Sequence, residues 1–127
     1  MSAPRRKVEH FPHALVGEFI SHSGREFMLT RAFIYLDSEI TITVPDGFVT
    51  DFSSVPRGLW NVFPPWEYPE AGVIHDFLYR FPRVGATRSE ADRVYRRILD
   101  ICGCHFVKRQ AMWLALRTFG GHAWRGK

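Results

Sequence analysis

The hydrophobic positions of the chain follow two different periods, and the change falls near residue 70. In the N-terminal part, Ile40, Ile42 and Val44 alternate with Thr41 and Thr43. A period of two places every second side chain on the same face of a strand. The stretch from about residue 15 to residue 49 is therefore predicted to form an antiparallel β-meander.

Short polar segments separate the predicted strands. Asp37 and Ser38 follow a run rich in aromatic and branched residues, and they precede the alternating segment. The sequence Pro45-Asp46-Gly47 combines a fixed φ with a residue that tolerates positive φ. We expect a turn there that reverses the chain into a further strand. The next stretch, residues 51–69, contains four prolines, which exclude a long regular helix and predict an ordered loop.

From residue 70 onward, apolar residues recur at every third or fourth position, as on the buried face of a helix. Pro82 ends the first such segment. Thr87 and Glu90 have the spacing of a capping box at the start of the second segment, and Gly103 stops it. The three predicted helices run from Glu70 to Phe81, from Thr87 to Cys102 and from Phe106 to Phe119. The inward face of the third is predicted to carry Val107, Met112, Leu114, Ala115 and Leu116.

Strands followed by helices are typical of an α+β domain. The 127 residues, 46% of them hydrophobic, are enough for one compact core but too few to divide comfortably into two. We expect a single domain over residues 1–127. Its predicted parts are a flexible N-terminal tail over 1–12, strands over 13–50, an ordered loop over 51–69 and helices over 70–121.

Neither the net charge nor the length of the apolar runs changes the predicted fold, but both bear on partners and location. The net charge of +4 is concentrated at the two ends of the chain, and no dense basic stripe with interleaved aromatics is present. This favours solvated tails and makes nucleic acid an unlikely partner. No apolar run approaches the roughly 20 residues of a membrane span, and the N-terminus lacks the apolar core of a signal peptide. We expect a cytoplasmic protein without a transmembrane segment.

One polar group stands out within the first predicted helix, in the sequence AGVIHDFLYR. His75 and Tyr79 are four residues apart and share a face, while Asp76 points about 100° away toward the neighbouring loop. On the second helix, Asp92 is in line with inward-facing Tyr95. If the two helices pack antiparallel, Asp92 lies opposite His75 and Tyr79.

That arrangement has a chemical rationale. A carboxylate bonded to one ring nitrogen of a histidine fixes the tautomer and leaves the other nitrogen able to accept a proton from water. His75 is thus a candidate base, Asp92 its orienter and Tyr79 the support of Asp92. Asp76 could offer oxygen ligands to a hard cation such as calcium, with Asp51 as a second ligand or a proton carrier.

The loop before the helices supplies the remaining candidates. Ser53, Ser54 and Arg57 are assigned to substrate binding, with Arg57 as an anion contact. The alternative is that Asp51 and the two serines only cap a turn or short helix. Cys102 and Cys104 are too close for an ordinary disulfide and are interpreted as helix-end thiols, because a zinc site would need further ligands besides His105.

The residues His75, Asp76, Tyr79 and Asp92 resemble the core of secretory and parvoviral phospholipases. The resemblance covers some 25 residues. It implies that His75 activates water, that Asp76 binds calcium, and that Tyr79 and Asp92 support the histidine. The glycine-rich calcium loop of those enzymes has no counterpart upstream, where the chain reads Asp51-Phe-Ser-Ser-Val-Pro-Arg57.

A longer stretch is similar to a family of small phage and prophage proteins of unassigned function. It comprises Val44-Pro-Asp-Gly-Phe-Val-Thr-Asp-Phe-Ser-Ser-Val-Pro-Arg57, then His75-Asp-Phe-Leu-Tyr79, then Glu90-Ala-Asp92. This resemblance implies a phage origin, synthesis in the host cytoplasm and a strand-then-helix domain.

Two classes of function stay open at this point. In one, the protein is a small hydrolase whose His-Asp pair activates water against an ester of lipid or cell-envelope material. In the other, it is a virion component, associated with tail or assembly proteins, or a host-factor binder. The polar cluster would then only tie the helices together.

Overall fold

The structure, a computed structural model, describes residues 3–22, 26–52, 57–62, 64, 67–81 and 87–125. The chain divides into two compact units, Met1–Asp51 and Phe52–Lys127. The first contains a short helix and all five strands, and the second contains three long helices. The predicted α+β class, with antiparallel strands followed by three helices, is confirmed.

The first unit contains two small antiparallel sheets. Its elements are α1 (Ala3–His10), β1 (Gly17–Phe19), β2 (Phe27–Leu29), β3 (Phe33–Leu36), β4 (Thr41–Val44) and β5 (Val49–Thr50). One sheet has the order β1-β2-β5 and the other is the hairpin β3-β4. The arrangement differs from a simple meander because β5 returns to pair with β2, in the register Phe27 to Thr50.

The alternation that predicted a strand is confirmed in β4. Ile42 and Val44 are buried, whereas Thr41 and Thr43 are exposed. At the hairpin turn, the carboxylate of Asp37 accepts hydrogen bonds from the backbone N–H groups of Glu39 and Ile40, at 2.7 and 2.8 Å. The predicted turn after β4 is also present, because Gly47 has a φ of +86°.

The N-terminal tail predicted over residues 1–12 differs from the structure, in which Ala3–His10 form α1. The ring of Phe11 stacks on Phe33 with centroids 5.1 Å apart, and it also contacts Tyr35. His10 Nδ1 lies 2.7 Å from the carbonyl oxygen of Leu36. These contacts with β3 order the segment, and a periodicity analysis of so short a stretch could not foresee them.

The second unit contains the helices α2 (Pro69–Arg80), α3 (Arg88–Ile101) and α4 (Phe106–Phe119). Short 3-10 segments precede them at Arg57–Leu59 and follow them at Gly120–Ala123. The capping box is confirmed: the Thr87 side chain accepts from Glu90 N, and Glu90 accepts from Thr87 N. None of the described helices is long and apolar enough to span a membrane.

The inward face predicted for α4 is wrong in part. Met112 and Leu116 are buried, but Val107 and Leu114 are 66% and 59% exposed. At 100° per residue, those two positions lie about 140° and 200° around the helix from Met112. The stripe that faces α3 is therefore narrower than the apolar content of α4 suggested.

Candidate active site

Helix α2 buries polar side chains in the middle of an apolar segment. Every residue from Ala71 to Tyr79 is buried, including His75 at 0% exposure and Asp76 at 2%. Burying a polar or charged side chain is unfavourable unless it has partners. The contacts of His75 and Asp76 therefore show how the burial of these two polar side chains is compensated.

The structure brings His75 and Asp92 together. His75 Nε2 lies 2.7 Å from Asp92 Oδ1, and both side chains are fully buried. An ionised carboxylate can only accept, so Nε2 carries the hydrogen and donates it. The other ring nitrogen, Nδ1, is then left with a lone pair. Nδ1 is buried and has no hydrogen-bond partner among the described residues.

Tyrosines fix the orientation of the imidazole. The Tyr79 hydroxyl donates to Asp92 Oδ1 at 2.5 Å, as its spacing from His75 predicted, and the Tyr79 ring lies 4.0 Å from the His75 ring. The Tyr95 ring meets His75 edge-on at 5.2 Å. The His75 ring is thus packed against two tyrosine rings, and its Nε2–H donates to the Asp92 carboxylate.

Two arginines complete the cluster, and the sequence analysis missed both. Arg117 Nη1, from α4, donates to Asp92 Oδ2 at 2.7 Å. Arg88 Nε donates to the Tyr79 hydroxyl at 3.2 Å, and its Nη2 donates to the backbone carbonyls of Leu116 and Arg117 at 2.8 and 3.1 Å. The sequence carries no spacing signal that relates these arginines to Asp92.

The segment after α4 packs against Tyr79. The Trp124 ring meets the Tyr79 ring edge-on at 5.3 Å, and Arg125 N donates to the Tyr79 carbonyl at 3.0 Å. At Gly120, an added Cβ would lie 3.2 Å from the Tyr79 hydroxyl, which is closer than most Cβ contacts. A side chain at that position would press on the hydroxyl that holds Asp92.

These contacts fix the charges of the cluster at neutral pH. Burial by itself raises the pKa of Asp92, but hydrogen bonds from His75, Tyr79 and Arg117 outweigh it and hold that pKa below its usual value. Burial, followed by the hydrogen bond to the Asp92 carboxylate, raises the pKa of Tyr79. Asp92 is consequently ionised and Tyr79 is neutral over the physiological range.

Asp76 has a different environment from Asp92. Its Oδ2 lies 3.3 Å from Arg80 Nη2, one turn along α2. No group of three side chains of the types that bind metals is found among the described residues. Asp76 thus lies at ion-pair distance from a guanidinium, and its role as a calcium ligand stays a prediction. Asp51 belongs to the other compact unit.

The candidates for substrate binding give no test of that role. Ser53 and Ser54 lie outside the described residues. The backbone of Arg57 begins a 3-10 segment, but its side chain lies outside the described part of the chain. Their assignments stay predictions.

Comparisons with known proteins give one match. A family model described as a protein of unknown function (DUF1353) matches residues 27–116, which run from β2 to the last turns of α4 and include His75, Tyr79 and Asp92. No match to the chain is found among curated proteins or among solved structures.

Proposed function

The chain belongs to the DUF1353 family of proteins of unknown function, and we propose that it is a small hydrolase in which His75 is the general base. One observation supports this proposal above the others. Nε2 of His75 donates to a buried, ionised carboxylate, while Nδ1 has no hydrogen-bond partner among the described residues. A base needs such a lone pair together with a charge that stabilises its protonated form.

The proposed reaction is the hydrolysis of an ester by water. Nδ1 accepts a proton from a water molecule as the water oxygen attacks the carbonyl or phosphoryl centre. The Asp92 carboxylate stabilises the imidazolium that forms, and Tyr79 and Arg117 hold that carboxylate in place. The proton then passes to the leaving alkoxide as the ester bond breaks, giving an acid and an alcohol. No step requires calcium.

The energetics of the cluster also support a chemical role. A buried nitrogen that lacks a hydrogen bond costs about 1–3 kcal/mol of stability. A cluster selected only for stability would gain from an apolar residue or from a partner at that nitrogen. An imidazole with one nitrogen bonded to a carboxylate and the other without a described partner is suited to proton transfer.

The substrate class and biological setting are part of the proposal. The likeness of His75, Asp76, Tyr79 and Asp92 to phospholipases favours an ester of lipid or cell-envelope material. The phage-like motif from Val44 to Arg57 favours a phage protein made in the host cytoplasm. Both rest on resemblance alone.

A second function is favoured by a different observation. The cluster joins all three long helices, with His75 on α2, Asp92 on α3 and Arg117 on α4, and His75 is fully buried. These are also the properties of a structural tie. In this alternative, the protein is a non-enzymatic virion component or host-factor binder.

Two substitutions of one residue separate these functions. In His75→Gln, the side-chain amide can still donate to Asp92, but the lone pair of the base is lost. In His75→Ala, both are lost and a cavity forms. We expect His75→Gln to lower ester turnover about 10²- to 10⁴-fold while most of the unfolding free energy is kept. His13→Gln, an exposed histidine of the first unit, is the matched control and should keep full activity.

The assay should compare nitrophenyl carboxylate esters, a phosphodiester and mixed phospholipid micelles, with and without added calcium. Loss of turnover in both His75 variants, with a stable Gln variant, supports the hydrolase. Absence of turnover in the wild type on every substrate, with instability of the Ala variant, supports the structural alternative. Turnover that needs calcium and is lost in Asp76→Asn would support the calcium prediction.

A further inference from the structure

A second feature of the helical unit is a groove lined by residues of α3 and α4. Its volume is about 450 Å³, and its lining includes Arg93, Arg96, Arg97 and Arg109. Among the described residues that line it, one is acidic, Asp100. Four guanidinium groups against one carboxylate give this groove a strongly positive character.

Neighbouring side chains hold two of the arginines in position. Arg96 stacks over the Trp113 ring at 4.7 Å, and its Nη1 donates to Gln110 Oε1 at 3.4 Å. Arg109 Nη1 donates to Asp100 Oδ1 at 2.9 Å and to the carbonyl oxygen of Cys104 at 3.2 Å. A guanidinium fixed in this way loses less conformational entropy when it binds an anion.

The charge distribution along α3 also indicates an anionic partner. Arg93 and Arg97 are four residues apart, a spacing at which like charges repel and weaken a helix slightly. Of the other acidic residues of α3, Asp92 faces the buried cluster, and Glu90, in the capping box, has a pKa lowered first by its hydrogen bonds with Thr87 and also by the charge of Arg93. Along the groove, α3 places three arginines, Arg93, Arg96 and Arg97, beside one acidic residue, Asp100.

We propose that the α3–α4 groove binds the phosphate backbone of single-stranded nucleic acid. Guanidinium groups bind phosphate oxygens through paired hydrogen bonds. Phe106, which also lines the groove, is 60% exposed; the Arg109 guanidinium lies over its ring at 5.2 Å, and the exposed part of the ring offers a surface on which a base can stack. A concave groove suits a single flexible strand, whereas a lipid surface is flat and would touch only the rim. This function goes beyond ester hydrolysis and does not depend on it.

The order of basic residues along the chain made nucleic acid an unlikely partner, because these residues do not form a continuous stripe. Three of the arginines are on one helix and Arg109 is on the next, so only the packing of α3 against α4 brings them to one groove. In the sequence, the indication of a basic groove was the close spacing of Arg93, Arg96 and Arg97.

The test is fluorescence anisotropy of a labelled oligothymidine of about 16 nucleotides, titrated with the intact protein at several salt concentrations. For single strands, the logarithm of the binding constant falls with the logarithm of salt by about 0.7 per phosphate contact. We expect Arg93→Gln/Arg97→Gln to reduce this slope by about 1.4. Phe106→Ala should weaken binding about 5- to 150-fold, the effect of one lost stacking contact.

Lys7→Gln/Arg125→Gln is the matched control, because it removes the same charge from positions outside the groove. Equal effects of the two double variants would overturn the proposal, as would the absence of an anisotropy change at about 50 mM salt. Tighter binding to a duplex of the same length would overturn the single-strand assignment. Binding to phosphatidylglycerol vesicles, but not to the oligonucleotide, would assign the arginines to a lipid surface instead.

Discussion

The two compact units differ in what they bury. In the described residues of the strand unit, the interior is aromatic and aliphatic, and the buried polar residue is Thr50. In the helical unit, His75, Asp76 and Asp92 are buried as well. Apolar burial stabilises without further conditions, whereas a buried charge is tolerated only when partners surround it. The interior of the helical unit therefore depends on specific polar partners, whereas the described interior of the strand unit depends mainly on apolar packing.

The strand unit is held together by simpler means. Phe11 and Phe33 stack, the hairpin turn is closed by Asp37, and Gly47 supplies the positive φ that reverses the chain. None of these features places a buried charge in the interior. If the contrast is correct, single substitutions in the two units should differ in size in a predictable order.

The largest effect is expected at Asp92. Asp92→Ala leaves His75, Tyr79 and Arg117 without their common acceptor, and removal of one member of a buried charged pair costs about 3–5 kcal/mol. Urea unfolding followed by the helical circular dichroism signal measures it. Asp46→Ala, an exposed carboxylate in the strand unit, should change stability by less than about 0.5 kcal/mol. Similar values for the two variants would remove the contrast.

Two tyrosines, one in each unit, allow the loss of the same hydroxyl group to be compared between the units. Tyr79→Phe removes the donor to buried Asp92 and the acceptor for Arg88, and we expect a loss of about 1–3 kcal/mol. Tyr35→Phe removes a 2.7 Å bond to the half-buried Asp37 in the strand unit, with an expected loss of about 0.5–1.5 kcal/mol. The same unfolding assay ranks them, and a larger loss for Tyr35→Phe would contradict the ranking.

The buried carboxylate of the helical unit should also make stability depend on pH. The pKa of Asp92 is lower in the folded protein than its ordinary value of 3.8, so its contribution is present above pH 3.8 and is lost as pH falls through the lower folded value. The difference in melting temperature between wild type and Asp92→Ala should therefore shrink below about pH 4. A difference that is constant down to pH 2 would argue against an ionised Asp92.

Tyr79 provides the alkaline counterpart. Its pKa is raised in the folded state, so its contribution is complete below pH 10 and is lost as pH rises toward the raised value. Above pH 10, the melting temperature of the wild type should fall toward that of Tyr79→Phe. Parallel curves for the two proteins between pH 9 and 11 would contradict this.

A backbone effect, rather than the loss of a contact, is expected in the strand unit at Gly47. An alanine there would have to adopt a φ of +86°, which costs about 1–2 kcal/mol. An added Cβ meets no atom within 4 Å, so no clash contributes. Gly58→Ala, also in open space but without a positive φ, is the control and should be nearly neutral. A neutral Gly47→Ala would show that the turn adjusts its backbone.

Periodicity predicted most of the fold and the centre of the candidate site. The helix bounds followed from apolar spacing, Pro82 and the Thr87–Glu90 capping box, and the meeting of His75 with Asp92 followed from antiparallel packing of two adjacent helices. These signals are local or connect elements that are neighbours in sequence. The positions of the helices and of His75 and Asp92 could therefore be inferred, although the catalytic role of the two residues stays a prediction.

What the sequence did not yield depends on contacts across long sequence separations. Arg117 reaches Asp92 over 25 residues through a long flexible side chain, and no spacing rule encodes that contact. The return of β5 to β2, the docking of Phe11 on Phe33 and the narrow inward stripe of α4 likewise depend on tertiary packing. Short segments and partly exposed helices carry too little periodic signal to specify such partners.

The shared carboxylate has a consequence for how the helical unit opens. Asp92 lies on α3, and its partners His75 and Arg117 lie on α2 and α4. Detaching any one of these helices therefore leaves an incompletely solvated charge between the other two. Amide hydrogens of the three helices should then exchange with solvent as a single cooperative group rather than helix by helix. Arg88 extends this coupling to the last carbonyls of α4, so the end of that helix should be protected where an isolated helix would fray.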